Sequence, residues 1–287
     1  MKRPSIISLG EVLWDLLPDG EQFGGAPANF ACHAAIQGAD VTMASVVGRD
    51  SRGVSAVEIL RQYNIDDSLI QITHKAPTGT VGVDLDNNGK PTFVIHEGSA
   101  WDHLQWSNEL AERIAGADAI YFGTLGQRSE RSRETIRQGV ELSASAGTLR
   151  VLDINLRAPF YDVGTIRESI RLASILKLSD DELIEVCAAC GVSTEHGTES
   201  ALRRLLAFGD LDAVVMTRGA DGALLVTSDE SIAQDGIPAS VIDTVGAGDS
   251  FTAAFLIGEL GEGSHQQNLR IACEVAAATC SHSGAVP

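Results

Sequence analysis

The chain has 287 residues, of which 44% are hydrophobic, and its 21 basic and 39 acidic side chains give a formal net charge of −18. This length and composition suffice to bury the core of one large α/β domain. The negative charge disfavours binding to nucleic acid and to anionic membranes. The first apolar run, Ser5–Leu9, is only strand-length and no run approaches a membrane span, so we expect a cytoplasmic protein without a signal peptide.

Short apolar runs alternate with helical patterns along most of the sequence. We predict strands at Ile6–Leu9, Val41–Val47, Ala119–Phe122, Arg150–Ile154, Ile175–Leu178, Ala213–Thr217 and Ala223–Thr227. We predict helices at Pro27–Gln37, at Arg52–Tyr63 with Asp50 as N-cap, and at Glu130–Ser145, followed by two long helices that close the chain. The alternation predicts one domain, residues 1–287, built on a doubly wound, mostly parallel sheet with helices on both faces. Ligands are expected at the carboxyl ends of its strands.

Two β-rich stretches, Gly79–Asp86 and Pro91–Glu97, interrupt this alternation. The intervening Asn87-Asn88-Gly89-Lys90 predicts a hairpin turn. A hairpin inserted in an α/β chain has no helix of its own to cover it, so it is either a decoration at a sheet edge or a lid over a ligand. The apolar side chains that would close on the ligand, or on the lid of a second copy, are Val81, Val83, Phe93 and Ile95.

The sequence Asp243-Thr244-Val245-Gly246-Ala247-Gly248-Asp249-Ser250-Phe251 leads into an apolar helical pattern. Gly246, Ala247 and Gly248 let a ligand approach the main chain closely. The start of the helix offers unpaired N–H groups and favours negative charge, and Asp249 adds a carboxylate at the same point. The pattern indicates a site that holds phosphate beside an acid. The alternative is an ordinary strand-to-helix turn in which Asp249 is a first-turn acid.

A second motif, Gly24-Gly25-Ala26-Pro27-Ala28-Asn29-Phe30-Ala31, lies near the other end of the chain. The glycine pair lets the backbone approach a bound molecule, Pro27 fits the first turn of a helix, and Asn29 brings a donor and acceptors to the start of that helix. Such groups suit a polyol. The sequence contains no Walker loop, no protein-kinase glycine loop and no dinucleotide fingerprint, which disfavours those ways of binding ATP or NAD.

Together the two motifs resemble the paired signatures of the ribokinase-like (PfkB) carbohydrate kinases, over nearly the whole chain. Within that family the sequence is most similar to fructokinases, and Ala100-Trp101-Asp102-His103-Leu104 is part of that similarity. The resemblance implies a ribokinase-like domain with a β lid formed near residues 11–25 and 79–98, and it leaves room for a homodimer through the lid. It also implies transfer of the γ-phosphate of ATP to a primary hydroxyl of a sugar, with fructose as the expected acceptor.

Kinase chemistry needs donors for the charge on the transferring group and an acceptor for the hydroxyl proton. Asp249 is the candidate base, because its carboxylate can hydrogen-bond the primary hydroxyl and is expected to be ionised beside a helix N-terminus. The main-chain N–H groups around Gly246, Ala247 and Gly248 are the candidate anion hole.

On the sugar side, the resemblance makes Asp15 a ligand together with Gly25 and Asn29. A carboxylate can accept two hydroxyls at once, although an exposed loop acid at the end of the first strand would look the same in the sequence. Asp153-Ile154-Asn155-Leu156-Arg157 resembles a run found in fructokinases and 2-keto-3-deoxygluconate kinases. Arg157 is therefore a candidate contact for a substrate carboxylate or for the transferring phosphate, with an internal ion pair as the alternative.

The nucleotide side is less specific. Thr217-Arg218-Gly219-Ala220-Asp221-Gly222 follows a predicted strand, and its composition also fits a plain β-turn. Lys177-Leu178-Ser179-Asp180-Asp181-Glu182 matches the family's Asn-x-x-Glu segment in part, because Ser179 stands where asparagine is typical. The nucleotide contacts implied by the resemblance are Lys177, Ser179, Thr217, Gly219 and Gly222.

Three further groups concern metals and thiols. Glu182 is expected to position hydrated Mg²⁺ through water, and it also fits a capping box with Ser179 at the start of a helix. The resemblance suggests a monovalent cation, K⁺, beside Asp243. Cys187 and Cys190 form a Cys-x-x-Cys pair without a second pair, and five cysteines are an odd number, so we expect reduced thiols.

Other functions remain open from the sequence. The nearest is 2-keto-3-deoxygluconate kinase, in which Arg157 would bind the carboxylate of the acid. A phosphosugar kinase is disfavoured because Ala26 and Pro27 stand where some of those enzymes carry a lysine. A catalytically silent sugar-binding or regulatory protein on the same scaffold is the alternative of another class, although it would have no need for Asp249 beside a small-residue turn.

Overall fold

The computed structural model of the protein describes residues 3–18, 20–85, 91–261 and 263–287. Its larger sheet has nine strands. In spatial order they are β13 (Ser231–Gln234), β12 (Ala223–Thr227), β11 (Ala213–Thr217), β10 (Ile175–Ser179), β9 (Leu149–Asp153), β8 (Ala119–Gly123), β1 (Ser5–Leu9), β4 (Asp40–Gly48) and β5 (Ile70–Thr73). Neighbours from β5 to β11 are parallel, and β12 and β13 continue the sheet antiparallel at one edge. The predicted mostly parallel sheet is confirmed.

Helices cover both faces of this sheet. They are α1 (Ala26–Ile36), α2 (Ser51–Gln62), α3 (Asn108–Ala115), α4 (Glu130–Ser145), α5 (Val163–Leu172), α6 (Asp180–Cys190), α7 (Thr198–Gly209), α8 (Ala247–Glu259) and α9 (His265–Thr279). One core cluster joins the sheet to α3 through α7, and a second joins its other face to α1, α2, α8 and α9. Within the described ranges, none of these helices combines the length and the apolar character that crossing a membrane requires.

Side-chain caps explain where several helices begin. Asp50 accepts a hydrogen bond from the N–H of Gly53 at 2.8 Å, which confirms it as the N-cap of α2. Ser179 and Glu182 form the predicted capping box at the start of α6, with the N–H of Ser179 donating to Glu182 Oε2 at 2.8 Å. Local sequence therefore predicts where these helices begin, and more distant donors, Thr78 for Asp50 and Leu156 for Glu182, add to the same carboxylates.

A second, four-stranded sheet has the order β3 (Gly20–Gly24), β2 (Leu13–Leu17), β6 (Gly79–Leu85) and β7 (Pro91–Ile95). The expectation that Asp15 ends the first strand was wrong, because β1 stops at Leu9 and Asp15 lies within β2 of this small sheet. Residues 10–12 separate the two strands, so Asp15 lies in the β segment expected near residues 11–25. The predicted turn Asn87-Asn88-Gly89-Lys90 lies outside the described residues, as do the side chains of Val83 and Phe93.

The small sheet has its own apolar cluster, formed by Leu13, Val81 and Trp101 with Ile95 packed against it. Trp101 is 1% exposed, and the missing side chain of Gly79 makes room for its ring.

An arginine ties this cluster to the main domain. The Arg128 guanidinium lies 4.4 Å from the centroid of the Trp101 ring and 4.9 Å from that of Phe160. It also makes a bidentate pair with Asp102, with both N–H···O distances at 2.8 Å. The small sheet is therefore anchored through packing and charge at the base of its strands.

Changing Gly79 to alanine tests this anchoring, because a Cβ at residue 79 would overlap the Trp101 ring. We expect Gly79→Ala to lower the free energy of unfolding by roughly 1–3 kcal/mol, the usual range for overpacking. Urea denaturation checks it. The control is Gly116→Ala, where φ is −103° and the nearest atom to the new Cβ is 3.8 Å away, so stability should hold or rise slightly. Equal stability of the two variants would contradict this packing.

Candidate active site

A cavity of about 760 Å³ lies at the carboxyl ends of β1, β9 and β10, and residues of both sheets line it. From the residues predicted for catalysis and sugar binding, it brings together Asp15, Gly25, Asn29, Arg157, Gly246, Gly248 and Asp249. Lys177 and Asp243 line it as well, and Leu13, Val81 and Ile95 contribute its apolar side. The two glycine-containing motifs from opposite ends of the chain therefore face one another across a single cavity.

The N-terminus of α8 is one wall of this cavity. Gly246 is its N-cap with φ +78°, and a Cβ there would overlap the carbonyl of Ala285, so only glycine fits. The main-chain N–H of Ser250 donates to the Gly246 carbonyl at 2.8 Å, which is the first hydrogen bond of the helix. The N–H groups of Gly248 and Asp249 thus precede the first intrahelical hydrogen bond. Ala247 differs from the expectation, because its N–H donates to the Thr244 carbonyl at 3.3 Å.

Asn29 and Asp249 are in direct contact. The Nδ2 of Asn29 donates to Asp249 Oδ2 at 2.9 Å, joining the first turns of α1 and α8. Burial raises the pKa of Asp249 above its ordinary value, opposed by the hydrogen bond from Asn29 and by the charges of Lys177 and Arg157. An aspartate with a raised pKa is a stronger base once ionised. Asn29 Oδ1 is buried without a hydrogen-bond partner among the described residues.

Glu11 is a site residue that the sequence reasoning missed. It follows β1, is 3% exposed and lines the cavity. Burial raises its pKa to about 7, and the nearby Asp249 carboxylate adds to that shift. Its Oε2 has no hydrogen-bond partner in the part of the chain that the structure describes. The available signal was an acid two residues after a buried strand. The resemblance pointed instead to Asp15, four residues later, as the sugar ligand.

A buried ion pair lies beside the cavity. Lys177 Nζ and Asp153 Oδ1 are 3.2 Å apart, on neighbouring strands where the two residues are register partners. Asp153 is 1% exposed and Lys177 8% exposed. Burial raises the pKa of Asp153 to about 6, although the charge of Lys177 opposes this. The pKa of Lys177 is raised, because the acids around it outweigh the effect of burial.

The remaining sugar-side residues are arranged by backbone geometry. Gly25 has φ +103° and a Cβ there would lie 2.7 Å from the Glu11 carbonyl oxygen, so glycine is required. A Cβ on Gly24 would lie 2.8 Å from Asp15 Oδ2, which shows that the Asp15 carboxylate lies directly against the neighbouring strand β3. Arg157 is exposed and makes no salt bridge within 4.0 Å among the described residues, which leaves its guanidinium available at the cavity.

Of the predicted nucleotide residues, Lys177 lines this cavity, whereas the other four lie outside its lining, at the carboxyl ends of β10 and β11 and in the turn that follows β11. Ser179 and Thr217 are register partners on these strands. Gly219, in a single-turn helix after β11, has φ +53° and open space where a Cβ would be. Gly222 has φ +89°, and a Cβ there would overlap the Gln234 carbonyl. The turn itself therefore requires glycine at residue 222, whereas Gly219 leaves room for a ligand.

The metal candidates are already engaged by protein donors. Glu182 Oε1 accepts from the N–H of Leu156 at 2.7 Å, and its Oε2 belongs to the capping box. Asp243 accepts from the N–H of Val245 and of Gly284, each at 3.0 Å. The described residues contain no group of three or more His, Cys, Asp and Glu side chains placed to hold a metal ion. All five cysteines are free, as expected.

Comparisons with known proteins agree with this architecture. Residues 19–287 match the model of the pfkB family carbohydrate kinases. A fructokinase from Klebsiella pneumoniae is 30% identical over 283 residues, which cover 95% of this chain and 90% of the relative. A sugar kinase from Pyrococcus horikoshii, solved in complex with ATP, is 28% identical with a TM-score of 0.81, covering 98% of this chain and 93% of that one.

A Vibrio cholerae fructokinase, solved with fructose, ADP and calcium, has a TM-score of 0.82 at 23% identity, covering 98% of this chain and 94% of that one. At that identity the likeness concerns the fold alone. Taken together, the fold, the cavity and the family match define a phosphotransferase that acts on an alcohol group of a carbohydrate. The chain belongs to the pfkB family of carbohydrate kinases, which confirms the resemblance seen in its motifs.

The buried Glu11 carboxyl predicts a pH dependence of stability. Its pKa of about 7 in the folded protein exceeds the ordinary value of 4.5, so the folded state keeps a proton that the unfolded state loses. The free energy of unfolding should therefore fall as pH rises from about 4.5 to about 7, by up to about 3 kcal/mol from this group. Urea denaturation between pH 4.5 and 8 should show a shallower fall for Glu11→Gln than for wild type.

Glu134→Gln is the matched control, since Glu134 is an exposed acid on α4 and its removal should leave the pH dependence as it is. Parallel curves for wild type and Glu11→Gln would contradict the proposed protonation of Glu11. The other buried acids are present in both proteins, so the difference between the curves reports Glu11 together with its coupling to Asp249.

Proposed function

We propose that the protein is an ATP-dependent fructokinase that transfers the γ-phosphate to the 6-hydroxyl of fructose. The observation that carries this is the position of Asp249, at the N-terminus of α8 and in a cavity shared with Asp15 and Asn29. The fructokinase relative at 30% identity supports the choice of sugar. The ATP-bound sugar kinase relative supports ATP as the donor.

In this proposal Asp249 accepts the proton of the sugar hydroxyl as that oxygen attacks the γ-phosphorus, and ADP leaves. Asn29 holds the Asp249 carboxylate in place through its 2.9 Å hydrogen bond. The N–H groups of Gly248 and Asp249 stabilise the charge on the transferring group, because they precede the first hydrogen bond of α8. Gly246 and Ala247 shape the turn that presents them.

Sugar recognition falls to the residues at the small-sheet side of the cavity. Asp15 accepts hydroxyls, and the main chain at Gly25 allows a close approach. Leu13, Val81 and Ile95 present an apolar surface to the same cavity, so we infer that the small sheet acts as a lid. The same lid is where a homodimer would form. Arg157 reaches the transferring phosphate or a substrate carboxylate.

The nucleotide is proposed to lie along the carboxyl ends of β10 and β11, against Ser179, Thr217, Gly219 and Gly222. Magnesium, which supplies charge neutralisation to the phosphates when bound, would be placed by Glu182 only through water, because both carboxylate oxygens already accept protein N–H groups. Asp243 keeps unused acceptor capacity, so its carboxylate fits a monovalent cation such as K⁺.

Replacing Asp249 by asparagine tests the base. Asparagine keeps an oxygen that can accept from Asn29, so the site should fold and bind sugar normally while turnover falls by ~10²–10⁴. Calorimetric sugar binding and steady-state kinetics separate these two effects. Glu109→Gln, which removes an exposed first-turn acid from α3, is the control and should keep full turnover. Retained turnover in Asp249→Asn would remove Asp249 from the role of base.

A coupled ADP-release assay tests the substrate. We expect the highest kcat/KM for fructose among fructose, ribose, adenosine, inositol and 2-keto-3-deoxygluconate. Preference for the last would favour the alternative kinase and give Arg157 its carboxylate. Sugar binding without ADP release from any member of the panel would instead favour the silent binding protein.

A further inference from the structure

Lys177 does not sit where a residue that only recognises the nucleotide would be expected. It lies on β10 within the cavity that also holds Asp249, and it is 8% exposed. Its ammonium is 3.2 Å from Asp153 Oδ1, and Thr252 of α8 is 3.2 Å from Asp153 Oδ2. The Lys177–Asp153 ion pair, together with the hydrogen bond from Thr252, therefore connects two central strands of the large sheet to the first turns of α8.

The ammonium is also close to the main chain of the proposed anion hole. A Cβ on Gly248 would lie only 3.2 Å from Lys177 Nζ. Gly248 thus leaves the space that the lysine side chain needs in order to end directly beside the turn. A positive charge in this position adds to the field of the helix N-terminus, where negative charge is favoured.

We propose that Lys177 is a positioning residue for phosphoryl transfer: its ammonium, held by Asp153, stays beside the first turn of α8 and keeps the carboxylate of Asp249 ionised despite its burial. This rests on the proposed role of Asp249 as the base. It changes the expected role of Lys177 from nucleotide recognition to control of the reacting carboxylate.

The charge balance of the cavity gives the reason. Burial raises the pKa of Glu11, Asp153 and Asp249, and the charge of Asp249 adds to the shift of the other two. Glu182 also raises the pKa of Asp153 and of Lys177. Lys177 and Arg157 are the cations that oppose this for Asp249. Arg157 is exposed and screened by solvent, whereas Lys177 is buried and acts at higher strength.

The pH profile of kcat/KM for the sugar tests the proposal, with the best sugar of the panel and Mg·ATP. In wild type the acid limb reports Asp249 in the free enzyme. In Lys177→Met we expect this limb to move to higher pH by about one unit, since Lys177 is one of the charges that lower the pKa of Asp249 and a nearby opposite charge shifts a carboxyl by about 1–3 units. Activity on the acid limb should fall by up to about tenfold for each unit of displacement and recover in part at pH 9.

Two further variants separate this role from a structural one. Lys177→Arg keeps the charge and should keep the acid limb close to that of wild type. The double variant Lys177→Met/Asp153→Asn removes the unpaired buried carboxylate, so its thermal stability should exceed that of Lys177→Met. Its acid limb should lie between those of wild type and Lys177→Met, because the negative charge of Asp153 is lost as well. Lys75→Met removes an exposed lysine and should leave the profile unchanged.

An acid limb at the wild-type position in both Lys177→Met and the double variant would overturn the proposal. If Asp249→Asn nevertheless abolishes turnover, the kinase function and the base stand and Lys177 is only structural. If Asp249→Asn keeps turnover, the base itself is wrong and the proposal for Lys177 falls with it. The two failures are therefore distinguishable.

Discussion

The hydrogen bond from Asn29 to Asp249 is the contact on which the site depends. It joins residues that are 220 positions apart and ties the first turn of α1 to that of α8. Both helices belong to the same side of the large sheet, where their apolar faces share one core cluster. Packing of these two helices is thus what places the two glycine-containing motifs against one cavity.

Burial of acids beside this contact sets the electrostatics. The chain carries a formal charge of −18, which would repel a nucleotide at long range. At the cavity, the helix N-terminus and Lys177 provide fixed positive potential within a few ångströms of Asp249. Short-range donors decide binding here, because interactions between exposed charges beyond about 10 Å are largely screened.

Prediction from the sequence succeeded where the signal was local. Glu130–Ser145 is helical with the bounds expected from its periodicity, and the capping box at Ser179 formed as its spacing predicts. The placement of Asp15 at the end of the first strand was wrong, because the first strand stops at Leu9 and Asp15 lies in β2, whose pairing with β3 and β6 no local pattern reveals. The burial of Glu11 and its unpaired oxygen depend on packing from several distant segments, which no local pattern contains.

The sequence by itself determined the family, the alternation of strands and helices, and the two motifs with their glycines and acids, because turns, caps and close backbone approach are properties of a few adjacent residues. Only the tertiary structure decided that the side-chain amide of Asn29 hydrogen-bonds the Asp249 carboxylate, and that Lys177 pairs with Asp153 beside Gly248. Those contacts arise when parallel strands and the helices packed on them bring distant positions together, and their geometry depends on the whole core.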